Sequence, residues 1–200
     1  MDGSQRVFES GSIMLYLVDK YDTERKISYA PGTPEYIEQV SWLMFQMGGL
    51  GPMQGKFCME HETLLQRTRH LIVTTTGQAN HFRLFAGVRS DYGMKRYIDE
   101  TKRLYSVLES RLKESRYLAG DKYTIADIAN YSWVRSGPSL LEIDLNEFPA
   151  LKKWVDEIGR REAVQKGASV PETGRTQEQM NEFFKNARAK IDGMTNSDKH

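Results

Sequence analysis

The sequence has little cysteine, little net charge and no long hydrophobic run, and each shortage excludes a class of protein. Its one cysteine, Cys58, excludes an internal disulfide framework. The 28 basic and 27 acidic residues nearly cancel, and a net charge of +1 supplies no field that would attract nucleic acid or an anionic membrane surface. The longest apolar run, residues 13–18, is much shorter than the about 20 residues that span a bilayer. Since the first residues show no secretory pattern, we expect a cytoplasmic protein without nucleic-acid or membrane partners.

Helical patterns dominate what the sequence does contain, and no convincing strand follows Phe8. The segment RVF, residues 6–8, is predicted as a short strand that leads into a turn at Glu9. Apolar residues then recur at helical spacing, and we predict helices over residues 12–21, 34–48 and 92–116 and in the segments TIADIANYSWV and FPALKKWVDEIGRREAV. Long helices with short connectors favour an antiparallel bundle, so the predicted fold class is mainly α.

The start of one of these helices carries a capping box, Thr124 followed three residues later by Asp127. In such a box the threonine oxygen accepts a backbone N–H of the first turn, and the carboxylate accepts the N–H of the capping residue. Neither histidine nor lysine adjoins the pair, so a nucleophile activated by a base is not indicated. We predict a structural role for both residues.

The chain resembles the glutathione transferases through an ordered series of segments: FESGSIMLYLVDKYD, WLMFQMGGLGPMQG, HFRLF, YIDETKRLYSVLESRL, YLAGDKYTIADIANYSWV and FPALKKWVDEIGRREAV. More narrowly, it is similar to the fungal subfamily that includes the yeast regulator of nitrogen-catabolite repression. The resemblance covers residues 6–166. It implies a C-terminal helical bundle, preceded by the last strand and helix of a thioredoxin-like α/β domain.

The same resemblance implies an organisation in four parts. These are a remnant of the glutathione-binding domain over residues 1–22, a linker over 23–34, the helical domain over 35–170 and a polar tail over 171–200. The chain is thus expected to begin near the last strand of the thioredoxin-like domain. On that reading it lacks the family's residue that activates the glutathione thiol.

Residues 56–76 depart from the family pattern, in which GPMQG runs almost directly into QANHF. Their removal restores that pattern, and the codons for Gly-Lys-Phe and Thr-Gly at the two ends can contain splice signals. We interpret the segment as a retained intron translated in frame, with a genuine inserted loop as the alternative. Its Cys58, His61 and His70 lack the paired spacing of zinc ligands, so no metal site is predicted.

The resemblance assigns glutathione to Glu9 and Ser10. The Glu9 carboxylate would meet the ammonium group of the γ-glutamyl end, and Ser10 at a helix N-terminus would meet its α-carboxylate. The alternative is that Ser10 or Ser12 only caps the helix and that Glu9 only suits its dipole. The family's pocket for the electrophile corresponds to a larger set, for each of which core packing is the alternative: Trp42, Phe45, Gln46, Met53, His81 and Trp133. Gln46 and His81 are the candidates for polar contact.

By resemblance, the expected function is conjugation of the glutathione thiol to small electrophiles, in detoxification or in the tailoring of fungal metabolites. Glutathione would be the co-substrate, no metal is expected, and the family is usually homodimeric. We expect weak or no conjugation by these 200 residues, because the activating residue is expected to be absent. The alternative is a non-catalytic, transferase-like protein that acts in regulation or dimerisation.

Overall fold

The computed structural model describes residues 2–3, 5–54, 78–80 and 90–168, and scattered positions from 179 to 193. Helices account for almost all of the regular structure in that part of the chain, and the prediction of a mainly helical fold is confirmed. The segment 56–76, with its three metal-ligand candidates, and His81 lie outside the described residues. The proposed domain boundaries stay predictions.

Nine helices are named here in chain order among the described residues: α1 Ser10–Tyr21, α2 Pro34–Phe45, α3 Gly51–Gln54, α4 Gln78–Asn80, α5 Asp91–Glu114, α6 Ile125–Val134, α7 Gly137–Leu141, α8 Pro149–Gly159 and α9 Glu162–Ala168. A π-helical turn, Gln46–Leu50, joins α2 to α3. A 3-10 turn, Leu145–Glu147, precedes α8. None of the helices within the described ranges is long and apolar enough to cross a membrane.

The predicted strand over residues 6–8 is not formed. These residues belong to no helix or strand, and the nearest pairing is an isolated bridge between Asp2 and Gln5. A strand is stable only when a neighbour accepts and donates its backbone hydrogen bonds. No described residue supplies such a neighbour here, so Phe8 instead leads directly to α1 with 70% of its surface exposed.

Two hydrophobic clusters hold the helices together. The larger one lies among α5, α6 and α8 and contains Leu104, Leu108, Leu151, Trp154 and Ile158, all nearly or fully buried. The smaller one joins α1 to the bundle, because Val18 of α1 packs with Leu43 of α2 and with Ile125 and Ala129 of α6. The position of α1 therefore depends on α2 and α6.

The connector between α1 and α2 is fixed to the bundle by Lys122. Its ammonium group donates to the carbonyl oxygens of Arg25, at 3.0 Å, and of Ser28, at 2.7 Å. It also lies 4.0 Å from the ring centroid of Tyr29, a cation–π contact. These contacts reinforce the attachment of α1 to the helical domain.

One helix receives its cap from another. Helix α8 starts after Phe148 and has no side-chain cap on its own segment. The Oε2 atom of Glu109, on α5, accepts the backbone N–H of Leu151 at 2.8 Å. Glu109 is 5% exposed, and the Lys113 ammonium lies 3.2 Å from its other oxygen. A buried carboxylate thus meets the positive end of α8 and a nearby cation.

Candidate functional site

Glu9 and Ser10 stand side by side at the start of α1, and both are exposed. Glu9 precedes the helix with a φ of 68°, in the left-handed region that non-glycine residues seldom occupy. Its carbonyl accepts the N–H of Ile13 at 2.8 Å, but no side chain in the described part of the chain caps this helix. The first N–H groups of a helix have no partner within it, so this end attracts a negatively charged group.

Met47, in the π-helical turn, contacts this helix start, and the sequence analysis missed it. The Ser10 hydroxyl donates to the Met47 sulfur at 3.4 Å. Gly11 is buried, and a Cβ atom on it would lie 3.2 Å from Cγ of Met47. A glycine therefore lets the first turn of α1 lie directly on the methionine side chain.

The structure brings four of the predicted pocket residues together near the same turn. The Trp42 and Phe45 rings pack edge to face, with centroids 5.4 Å apart. Gln46 is only 4% exposed, and a Cβ atom on Gly51 would lie 2.5 Å from its Nε2 atom and 3.6 Å from the Trp133 ring. Because the three aromatic rings are half-buried and pack against the larger core cluster, they also serve as core residues.

Met53 lies in a different setting from these four residues. It lines a groove of about 990 Å³ along α5, together with Tyr92, Lys95, Arg96 and other residues of that helix. Lys95 is paired with Asp99 at 2.5 Å, so part of the positive charge of this groove is already compensated. Met53 also packs against the larger core cluster.

Thr124 and Asp127 form both bonds of the predicted capping box. One carboxylate oxygen of Asp127 accepts the N–H of Thr124 at 2.9 Å, and the other accepts the N–H of Leu118 and the Trp154 indole, each at 3.0 Å. Burial raises the pKa of the Asp127 carboxyl, and these donors act in the opposite direction. With no exposed surface on either residue, the pair is structural.

Comparison with known proteins identifies the family. Residues 94–162 match the glutathione S-transferase C-terminal domain. The chain is 38% identical to the disulfide-bond oxidoreductase YfcG of Escherichia coli over 158 residues, which are 79% of this chain and 61% of that protein. It therefore spans about three-fifths of the length of this relative.

Two similar solved structures contain glutathione. A glutathione transferase homologue from Lodderomyces elongisporus, with two glutathione molecules per subunit, is 40% identical, has a TM-score of 0.71, and is matched over 86% of this chain and 70% of that one. Ure2p in complex with glutathione is 32% identical, has a TM-score of 0.64, and is matched over 80% of this chain and 64% of that one. The chain belongs to the glutathione S-transferase family.

Proposed function

We propose that this chain binds glutathione at the start of α1, as part of a glutathione-dependent transferase. The observation that carries the proposal is the exposed pair Glu9 and Ser10 at the uncapped end of this helix. The solved structures of the Lodderomyces elongisporus homologue and of Ure2p, both with glutathione, support it.

The γ-glutamyl end of glutathione carries an ammonium group and an α-carboxylate next to each other. The Glu9 carboxylate complements the ammonium group. The Ser10 hydroxyl and the free N–H groups of the first turn complement the carboxylate, with the positive end of the helix dipole behind them. The start of α1 thus offers a negative group for the ammonium of the ligand and, beside it, hydrogen-bond donors for the carboxylate.

The electrophile would lie on the aromatic side of the π-helical turn. Met47 and Gln46 are adjacent in this turn: Met47 contacts Ser10, while Gln46 is nearly buried and lies against Gly51. Trp42, Phe45 and Trp133 provide apolar surface next to Gln46, which suits a small hydrophobic electrophile. In the proposed reaction, the thiol releases its proton to solvent, the thiolate sulfur bonds to the electrophilic carbon, and the leaving group departs with the electron pair of the broken bond, as chloride in the case of chlorodinitrobenzene.

Glu9→Gln and Ser10→Ala are each expected to weaken binding of S-methylglutathione by about 10- to 100-fold, since each removes a charge-assisted interaction worth about 1.5–3 kcal/mol. Isothermal titration calorimetry measures the affinities. The matched controls are Glu35→Gln, at the first turn of α2, and Ser41→Ala, whose hydroxyl bonds only within α2 in the described structure. Equal affinities for the wild type and both site variants would contradict the assignment.

For the 200 residues as printed, we expect little conjugation even where glutathione binds. None of the described site residues carries a positive charge, and the Glu9 carboxylate disfavours a nearby thiolate. The measurement is the rate of conjugation of glutathione to chlorodinitrobenzene, compared with the rate without protein. A rate well above that background would show that the chain holds its own activating group.

A non-catalytic role in dimerisation is the second candidate. Ile13, Leu17 and Tyr21 form an exposed apolar stripe on α1, beside the face that packs on the bundle. Such a stripe suits a second protein surface, including that of another copy of the chain. A stable dimer in light scattering, combined with no detectable affinity for S-methylglutathione, would favour this role over the first.

A further inference from the structure

In the described part of the chain, Met47 is the one methionine whose sulfur accepts a hydrogen bond from a residue proposed to bind glutathione. The acceptor is the thioether sulfur and the donor is the Ser10 hydroxyl, 3.4 Å away. A thioether is a weak acceptor, so a carboxylate that reaches Ser10 can take over this hydroxyl at little cost. In its reduced form, Met47 thus leaves the Ser10 hydroxyl available to the carboxylate of glutathione.

The contacts of Met47 also determine from which side an oxidant can reach its sulfur. On one side, the side chain is pressed against Gly11, where a Cβ atom would lie 3.4 Å from both the sulfur and Cε. On the other side, the sulfur points toward the exposed Ser10 hydroxyl, and Met47 itself is only partly buried. The sulfur has two lone pairs, either of which can take up an oxygen atom, and the hydrogen bond shows that one of them faces the Ser10 hydroxyl.

We propose that oxidation of Met47 blocks the binding of glutathione at Glu9 and Ser10, an inference that rests on the proposed function. In this step a hydroperoxide transfers one oxygen atom to the sulfur. The O–O bond breaks, an S–O bond forms, the sulfur loses two electrons, and the hydroperoxide leaves as water or an alcohol. The product is methionine sulfoxide, which specific reductases convert back to methionine.

The sulfoxide oxygen is expected to compete directly with the ligand. It is a much stronger acceptor than a thioether and carries a partial negative charge, so it holds the Ser10 hydroxyl. It also lies at the positive end of α1, where the ligand's α-carboxylate would bind. The added oxygen thus takes up both the donor and the space that the carboxylate needs.

The test compares the wild type with Met47→Leu, which keeps the volume of the side chain but cannot be oxidised. Met44→Leu is the matched control, because Met44 lies on α2 and is 47% exposed, and the Ser10 hydroxyl donates to Met47 instead. Each protein is treated with hydrogen peroxide and then with dithiothreitol, which reverses thiol oxidation at Cys58 but not methionine sulfoxide. Mass spectrometry gives the extent of oxidation at each methionine, and calorimetry gives the affinity for S-methylglutathione.

Oxidation is expected to weaken binding about tenfold in the wild type and in Met44→Leu, which is the loss of one charge-assisted hydrogen bond. Met47→Leu should keep the affinity that it had before treatment, and methionine sulfoxide reductase should restore the wild type. Unchanged affinity with Met47 oxidised, or no oxidation of Met47 while Met44 reacts, would overturn the inference alone. Untreated wild type that binds no S-methylglutathione would overturn the proposed function, and this inference with it.

Discussion

Asp127→Ala is expected to lower the free energy of unfolding by about 4 kcal/mol, because it leaves several buried N–H donors without an acceptor. The N–H groups of Leu118 and Thr124 and the Trp154 indole all donate to this carboxylate. Leu118 and Thr124 have no exposed surface and Trp154 has almost none, so water cannot replace the lost acceptor. Each unpaired buried donor costs about 1–3 kcal/mol. Urea denaturation followed by circular dichroism measures the change.

Asp127→Asn provides a milder second measurement in case the alanine variant does not fold. The amide keeps one acceptor oxygen but places an NH₂ group against at least one of the donors, so we expect a loss of about 2 kcal/mol. Asp156→Asn is the control, because Asp156 is an exposed residue of α8, and exposed substitutions usually stay within about 0.5 kcal/mol. A wild-type urea midpoint for Asp127→Ala would show that the capping box and its long-range bonds do not stabilise the fold.

Gly137→Ala is the second large effect, with an expected loss of about 3 kcal/mol from overpacking. A Cβ atom at this position would overlap the Tyr105 hydroxyl and lie 3.2 Å from Cζ of the same ring. Tyr105 cannot move away easily, because it is fully buried and its hydroxyl donates to Gln54 at 3.1 Å. Burial also raises the pKa of Tyr105, so the hydroxyl keeps its proton and remains a donor.

A double-mutant cycle tests this cause. Tyr105→Phe removes the atom that the new methyl group would meet first, so Gly137→Ala should cost less in that background than in the wild type. Gly167→Ala is the matched control, since a Cβ atom on this residue of α9 meets nothing within 4 Å. That control should be neutral or slightly stabilising, because alanine favours a helix more than glycine does. Strictly additive effects of Gly137→Ala and Tyr105→Phe would point to another cause.

The sequence predicted the longer helices well because their signals are local, but the segment FPALKKWVDEIGRREAV, predicted as one helix, is divided at Gly159 into α8 and α9. Apolar spacing placed α5 within two residues at each end, and the Thr124–Asp127 spacing indicated the start of α6. The predicted helix over residues 34–48 ends instead at Phe45, and the chain continues as a π-helical turn rather than breaking. Periodicity cannot distinguish a broken helix from one that widens by one residue per turn.

The candidate site was predictable only where its residues are neighbours in sequence. Glu9 and Ser10 could be proposed from the chain and a family resemblance, but Met47 lies 37 positions beyond Ser10. The glycines at 48, 49 and 51 signalled an unusual backbone, and one of them does mark a close approach, between Gly51 and Gln46. Which side chains meet across such a turn depends on how α1 packs on α2 and α6, and no local pattern records that.

The cap that α5 supplies to α8 makes the start of α8 depend on a tertiary contact. A helix as short as α8, with 11 residues, is marginal in water by itself, and its segment offers no side chain to satisfy its first turn. Glu109 lies 42 positions before Leu151 and reaches it only when α5 is already formed and close. We therefore expect α8 to have a stable, defined start only when it is packed against α5. A free peptide of residues 149–159 would lack the acceptor that defines where the helix begins.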